Sequence, residues 1–448
     1  MKIGLDFRAV TAAPKSGVAR QTLALYECTR QREGTEVLAF TAAPADHPHR
    51  GKAVCPVFVS PVDGLHRPTE RWRFERHFLP EAITVHDLDV YVASVNMGLP
   101  IGLTPQQRER TRWVLHLHDV FQITQRNRHA SAWRERAYRL LDRLSIRHAV
   151  KLADAIWVPS DHTAQSLIDL FPQASERLRV LPNAVPAEAW RCLQHEVFAP
   201  PRYWLVVGTR EPRKNVPWFV AAWVQARRNW PGLIPELVLI GHPDDLPGAA
   251  ALPEGVRFVH GIQDAQLASW YRHAERLWHP SVAEGFGLPV VEAAACGTPV
   301  ATARGTALDE VTPPGSPRFD PQDTAALLQL MQQVAEQRRG LRIGQFHDAT
   351  REVLVDEQRA ASRLRVDPDD RVDGGPLRVS MRVRVVERGE PLADLPHRGR
   401  PIRFSRTKIA FEDAEPRHER SLPQTERIQQ VSQCPHSFLS EGVKSYRR

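Results

Sequence analysis

The sequence predicts an α/β protein of two Rossmann-like halves facing a central crevice, followed by an irregular C-terminal tail. Three observations carry this reading. β-rich runs leading into helical patterns recur in both halves, Lys2 to Asp6 ahead of Gly17 in the first and Tyr203 to Gly208 ahead of a basic loop in the second. The stretch from Leu277 to Glu310 alternates strand, glycine turn, short helix and strand. A chain of 448 residues is long enough for two ordinary domains and a tail.

Bulk properties narrow the function. Hydrophobic residues make up 42% of the chain, and no apolar run approaches the ~20 residues of a membrane span. Asp6 and Arg8 interrupt any apolar segment behind Lys2, so the N-terminus does not resemble a signal peptide. Cys28, Cys55, Cys192, Cys296 and Cys434 are odd in number and include no close pair, against a disulfide framework or a cysteine-based zinc site. The expected location is the cytoplasm, extending to a peripheral place at the inner face of the membrane. A net charge of +8, with 60 Lys and Arg, leaves nucleic acid, an anionic membrane surface and a phosphorylated substrate as partner classes. Nucleic acid is disfavoured, because zinc-finger spacing and RNP-type aromatic motifs are missing.

In the first half, Lys2 to Asp6 reads as the first strand and Val18 to Thr29 as the first long helix. A G-x-G-x-x-G fingerprint is lacking, which disfavours nicotinamide and flavin cofactors. Glu36 to Phe40 suggests a second strand. The stretch HRPTERWRFERHFLP, from His66 to Pro80, mixes arginines with Trp72, Phe74 and Phe78; it fits either an anionic membrane surface or a surface helix with its aromatics turned inward. Strands follow at Asp89 to Val92 and Trp113 to Leu117. The second runs into His118, placed where open α/β sheets bind ligands, although a histidine capping a strand end fits as well. A helix from about Ala132 to Lys151 carries Leu140, Leu141, Leu144 and Ile146 at spacings that suggest burial. Ala153 to Ser160 is a strand ending at a helix cap, and a linker is placed from about Pro182 to Pro201.

In the second half, the strand Tyr203 to Gly208 is followed by the basic loop Thr209 to Asn215, the form expected of a diphosphate cradle. Arginine offers paired donors to phosphate oxygens and lysine a mobile charge, though exposed basic turns are common. Strands ending at Gly241 and Gly261 aim at the same place. Leu277 to Ser281 then delivers a loop carrying Glu284, Gly285, Phe286 and Gly287 to a short helix. Pro289 suits that helix's first position and Gly297 the left-handed position past its end, which puts Glu292 in the first turn. Both carboxylates can then face one crevice, where free helix N–H groups favour anions and carboxylates accept from sugar hydroxyls. The alternative is a glutamate that complements the helix dipole and another that is simply solvated.

The segment PSVAEGFGLPVVEAAACGTPV, with seven residues between Glu284 and Glu292, resembles the E-x7-E segment of the retaining glycosyltransferases of family 4, which have the two-Rossmann-domain GT-B fold. GLDFRAV with SGVAR, HLHDV and VVGTREPRKN follow that family's order as well, so the resemblance covers roughly residues 1 to 350. It implies an acceptor domain over 1–182, a linker over 183–201, a donor domain over 202–350 and an atypical, poorly ordered tail over 351–448. The implied reaction moves a sugar from a nucleotide-diphosphate sugar to a glycan or lipid-linked acceptor in polysaccharide assembly. It needs neither metal nor covalent nucleophile, and mannose from guanosine-diphosphate mannose is the expected donor group.

Carried over to matching positions, the resemblance assigns the pyrophosphate to Arg213 and Lys214, with Arg210 as a looser candidate. Glu284 takes the sugar hydroxyls, Glu292 the ribose, and His118 meets the sugar from the first half. Gly17, Gly208, Gly285, Phe286, Gly287 and Leu288 complete the donor site by close backbone approach. Glu310 is expected to be structural. QFHDAT, near 345–350, resembles the start of the family's closing helix, and the tail departs from the family beyond about Arg363. That departure keeps two alternatives open, a non-catalytic nucleotide-binding remnant and a basic polyanion-binding protein.

Overall fold

The computed structural model describes residues 1–42, 57–59, 68–125, 132–185, 187–193, 195–246 and 252–340. The QFHDAT segment and the expected tail lie outside them.

A seven-stranded parallel sheet organises the first half. Its strands are β1 (Lys2–Asp6), β2 (Glu36–Thr41), β3 (Val57–Val59), β4 (Val90–Ala93), β5 (Arg112–His116), β6 (Ala155–Val158) and β7 (Leu178–Val180), in the order β3-β2-β1-β4-β5-β6-β7. The crossovers carry α1 (Arg8–Ala12), α2 (Gly17–Arg30), α3 (Pro68–Arg73), α4 (Leu79–His86), α5 (Pro105–Arg110), α6 (Phe121–Thr124), α7 (Ala132–Leu152) and α8 (Asp161–Leu170). Successive strand residues point to opposite faces, and both faces are covered. On β5, Trp113 and Leu115 therefore pack with Ile146 and Ile156 while Val114 joins Leu5, Tyr26 and Val37.

The second half repeats the plan with six parallel strands. These are β8 (Tyr203–Val207), β9 (Glu236–Ile240), β10 (Val256–Val259), β11 (Arg276–His279), β12 (Val300–Ala303) and β13 (Arg318–Phe319), ordered β10-β9-β8-β11-β12-β13. The accompanying helices are α9 (Ala187–Cys192), α10 (Val216–Asn229), α11 (Asp264–His273), α12 (Leu288–Ala295), α13 (Leu308–Val311) and α14 (Thr324–Gly340). Tyr203, Trp204, Leu205 and Val206 are all buried, as expected of a parallel strand packed on both faces. Helix α9 falls inside the expected linker, and its Trp190 belongs to the core of this half. The segment between the sheets is thus held by packing: Gln21 also brackets it, donating to the Ala184 carbonyl and accepting from the Ala184 N–H, each at 2.9 Å.

Of the two readings about surfaces, the open one for the 66–80 stretch is decided largely inward and the one for α7 changes. Phe74 is buried and Phe78 packs against the same core, leaving Trp72 alone exposed among the three aromatics of the 66–80 stretch. On α7 only Ile146 of the four expected apolar residues is buried; Leu140, Leu141 and Leu144 face solvent. The inward side of α7 is made instead by Ile146, Ala149 and Val150. Among the described residues no helix is long and apolar enough to cross a membrane.

Candidate functional site

In open parallel sheets the C-terminal strand ends bring loops together, and here β8 and β11 are neighbours. Past β8 the chain turns at Gly208, whose φ of +83° is the left-handed region that favours glycine. It then makes a short turn, Pro212–Lys214, before α10. Past β11 the loop from Pro280 to Gly287 leads to α12.

Glu284 is buried where these loops meet. Its Oε1 accepts from Lys214 Nζ at 2.6 Å and lies 3.0 Å from His279 Nε2, while Oε2 is 2.9 Å from Arg213 Nη1. Burial opposes its charge, but Lys214, His279 and Arg213 outweigh that penalty and hold the carboxyl well below its usual range. Arg213 is fixed from other sides too. It donates to Glu211 at 2.7 Å and to the Ala283 carbonyl at 2.8 Å, and it lies over the Phe121 ring of the first half at 4.9 Å. Burial, with Lys214 and Arg213 nearby, lowers the pKa of His279, so the imidazole is neutral and donates from Nε2 to the carboxylate. Gly208 lies close beside Lys214: a Cβ added there would come within 3.7 Å of Lys214 Cε.

Glu292 has other partners. Helix α12 begins at Leu288, so Pro289 is its second residue and Glu292 its fifth, just past the first turn and one position further into the helix than expected. Its buried carboxylate is ion-paired with Arg20 of the first half and accepts from Tyr271 Oη at 3.0 Å. Burial raises its pKa despite these partners. Gly287, at φ +101°, caps the helix, and Gly297 is left-handed at +78° as the sequence suggests.

The two halves meet around Gly285. Its carbonyl accepts from Ser160 Oγ at 2.7 Å and Thr163 Oγ1 at 3.0 Å, and a Cβ there would lie 2.3 Å from the His118 carbonyl. Only glycine admits this approach. Gly17 also approaches α12, since a Cβ added to it would fall 2.7 Å from the end of the Leu288 side chain, Cδ1. Glu310 accepts from the N–H groups of Asp161 at 2.9 Å and His162 at 2.7 Å, capping α8 across the crevice.

His118 sits two residues beyond β5, buried, with its ring 4.3 Å from that of His116. Its Nε2 donates to the Ser94 carbonyl at 3.0 Å, and burial pushes its pKa down to about 4. A neutral ring that carries the Nε2 proton has its Nδ1 as the acceptor. The adjacent Asp119 accepts from Asn96 Nδ2 and the Phe121 N–H, each at 3.1 Å, and burial raises its pKa.

Glu284, Arg213, Lys214 and Gly208 are thus assembled in one cluster, with Gly285 beside His118, and Gly17 beside Leu288. Two other candidates stand apart. Arg210 is exposed and makes no ion pair among the described residues. The Phe286 ring is committed to the hydrophobic core, which leaves only its backbone for a ligand. Sequence reasoning takes Ser160 only as a helix cap and Asp119 only as the neighbour of His118, and does not single out Arg20, Tyr271 or His279. Only His279, at a strand end opposite an acidic loop, carries a local signal. Among the described residues no group of three or more His, Cys, Asp or Glu converges as a metal site would require.

Two family profiles match the chain, one described as glycosyl transferase 4-like domain over residues 16–184 and one as glycosyl transferases group 1 over residues 201–337. The chain belongs to the group 1 glycosyltransferases of family 4. It is 30% identical over 202 residues to O-antigen chain mannosyltransferase B of Escherichia coli, a match covering 41% of this chain and 52% of that relative. The chain spans about half the length, or less, of the curated relatives it matches. Its fold is similar to that of sucrose-phosphate synthase from Thermosynechococcus elongatus, with a TM-score of 0.58 and 19% identity, covering 81% of this chain and 96% of the other. HepE from Anabaena, solved in complex with UDP and glucose, gives a TM-score of 0.53 at 17% identity with the same coverages. The architecture of this family member is therefore GT-B.

Proposed function

We propose that this glycosyltransferase moves a sugar from a nucleotide-diphosphate donor to a glycan or lipid-linked acceptor, with retention at the anomeric carbon. The observation that carries the reading is the buried Glu284 shared by Arg213, Lys214 and His279, beside His118 of the first half. When a sugar leaves a diphosphate, negative charge grows on the departing phosphate oxygen. Two cations already desolvated and held in place stabilise that charge with little reorganisation, an effect commonly worth ~100-fold or more in rate per donor. A diphosphate arriving at Arg213 and Lys214 competes with Glu284 for their N–H groups, freeing carboxylate lone pairs for sugar hydroxyls. Glu292 takes the ribose, and His118 offers Nδ1 as an acceptor to the sugar from the opposite half.

In this reading residues 1–182 form the acceptor half and 202–350 the donor half, joined through 183–201, with 351–448 outside the chemistry. Mannose carried by guanosine diphosphate is the donor proposed, supported by the likeness to an O-antigen mannosyltransferase. A uridine-diphosphate sugar is the competing donor, supported by the likeness to HepE. The residues named need no metal, so transfer is expected to persist in chelator.

The first test is the melting temperature of the full chain with GDP, UDP, ADP and their sugar derivatives, since a ligand that binds only the folded state raises it by mass action. A selective rise with GDP and GDP-mannose, followed by mannosyl transfer to a glycan acceptor, is the expected result. A selective rise with UDP would replace the proposed donor, and no rise with any nucleotide would remove the donor site.

A further inference from the structure

The turn that follows β4 holds the tip that follows β5. These strands are parallel neighbours, paired from Val90 with Arg112 to Ala93 with Leu115, so the segments past their C-terminal ends run side by side. Three residues past β4, Asn96 is buried, and both ends of its side-chain amide are engaged. Oδ1 accepts from the His118 N–H at 2.7 Å and from the Asp119 N–H at 3.4 Å, while Nδ2 donates to Asp119 Oδ1 at 3.1 Å. Two residues earlier, the Ser94 carbonyl accepts from His118 Nε2 at 3.0 Å. Backbone N–H groups need an acceptor and a carboxylate needs a donor; a side-chain amide supplies the two from separate atoms.

The turn is itself anchored. Ser94 Oγ donates to the Asp6 carbonyl, and Gly98, at φ +115°, lies so near the buried Arg8–Asp6 pair that an added Cβ would fall 2.4 Å from Arg8 Nη2. Asp119 passes the constraint onward. Its Oδ1 also accepts from the Phe121 N–H at 3.1 Å, and the Phe121 ring faces the Arg213 guanidinium at 4.9 Å. One buried amide thus reaches His118 directly and Arg213 through two residues.

We propose that Asn96 is a positioning residue for sugar transfer, holding His118 with Nδ1 turned to the sugar and, through Asp119, holding the Phe121 ring against Arg213. The inference rests on the sugar-transfer reading of this site and adds the residue that keeps its two ends in register. A reacting group displaced by about 1 Å can lose about a hundredfold in rate, so a residue that touches no substrate can still set kcat. The charges around Asp119 favour an amide at this place over a carboxylate. Burial raises the pKa of Asp119, Arg213 lowers it and Glu211 raises it, so a second carboxylate beside it would meet a group already costly to ionise. His118 is faced by the ring of His116, which burial and His118 itself keep neutral.

The test compares Asn96→Ala and Asn96→Asp with the parent in the full chain, at a temperature where circular dichroism shows each folded. Release of nucleoside diphosphate from GDP-mannose and from UDP-glucose, with methyl mannoside as acceptor, gives kcat and the donor KM. Both variants are expected to lose about tenfold or more in kcat. The donor KM should stay within about threefold, because Glu211, the Ala283 carbonyl and Glu284 still hold Arg213 and Lys214. As pH falls from about 8 to about 5.5, kcat relative to the parent should recover for Asn96→Asp, since adjoining carboxylates repel when both are ionised and otherwise share a proton. For Asn96→Ala the ratio should stay flat. Nitrogen-15 imidazole spectra, with His118 assigned by its loss in His118→Gln, should show it titrating at about 4 in the parent and moving toward 6.5 in Asn96→Ala. Parent-like kcat in both variants, a loss carried by the donor KM, equal pH ratios for the two, or an unchanged His118 titration would each overturn the proposal. A parent that releases nothing from either donor would count against the transfer reading, and the His118 titration would then decide the positioning by itself.

Discussion

Glu284 and Glu292 are separated by one glycine turn and are both buried, yet their surroundings differ in kind. The partners of Glu284 all come from the second half: two cations and a neutral imidazole that keep it ionised. Glu292 has one hydroxyl from its own half and one guanidinium from the other, and burial prevails over both in setting its pKa. Equal spacing in sequence thus produces one carboxylate that organises charge and another that ties the halves together. The lesson is that a motif fixes positions, while the strand ends and the facing domain decide what each position does.

The strongest way to break this comparison is Glu284→Ala. It leaves Arg213 and Lys214 without their buried counter-charge, so a stability loss of about 3 kcal/mol in urea unfolding is expected, with sugar transfer reduced ~100-fold or more. Transfer that survives intact would remove Glu284 from the chemistry. Next comes pH. The folded-state pKa of Glu284 is depressed, so its contribution is present above the ordinary carboxylate value of 4.5 and is lost as pH falls through the folded value. Glu292 is raised, so ionising it costs the folded state stability as pH rises from 4.5 through its folded value. Melting temperatures relative to the parent should therefore shift in opposite directions with pH, Glu284→Gln becoming worse and Glu292→Gln better as pH rises. Parallel slopes would refute the distinction.

A smaller effect is expected from Arg20→Met. Its side chain is 29% exposed, so water relieves part of the cost, and about 1–2 kcal/mol of stability should be lost. Small-angle scattering should show a more open chain, while a Glu284→Gln variant keeps the parent's dimensions; the reverse pattern would contradict the assignment. Smallest is Glu310→Ala, which deprives α8 of its acceptor across the crevice and should cost about 1 kcal/mol, read as a lower melting temperature.

The strand ends, the cap at Ser160, the left-handed Gly297 and the E-x7-E loop could be read from the sequence because each is a local pattern with a local cause. The Arg20–Glu292 pair could not, since its members lie 272 residues apart and neither is unusual alone. His279 stands at a strand end ahead of an acidic loop, a weak local signal, and the arrival of Lys214 on the β8 loop completes the set of groups around Glu284. The leucines of α7 were misread for another reason. Helical spacing locates an apolar stripe but not the side on which the protein lies, and here Asp142 and Ser145, fastened by Arg71, help mark the protein side. Glu292 falls one position later in the helix than the proline suggests, because Leu288 and not Pro289 opens it.

The carbonyl of Gly285 is held by two hydroxyls of the first half, while the side chain one residue earlier is held by three groups of the second. A single peptide link therefore separates the grip of one half from the grip of the other.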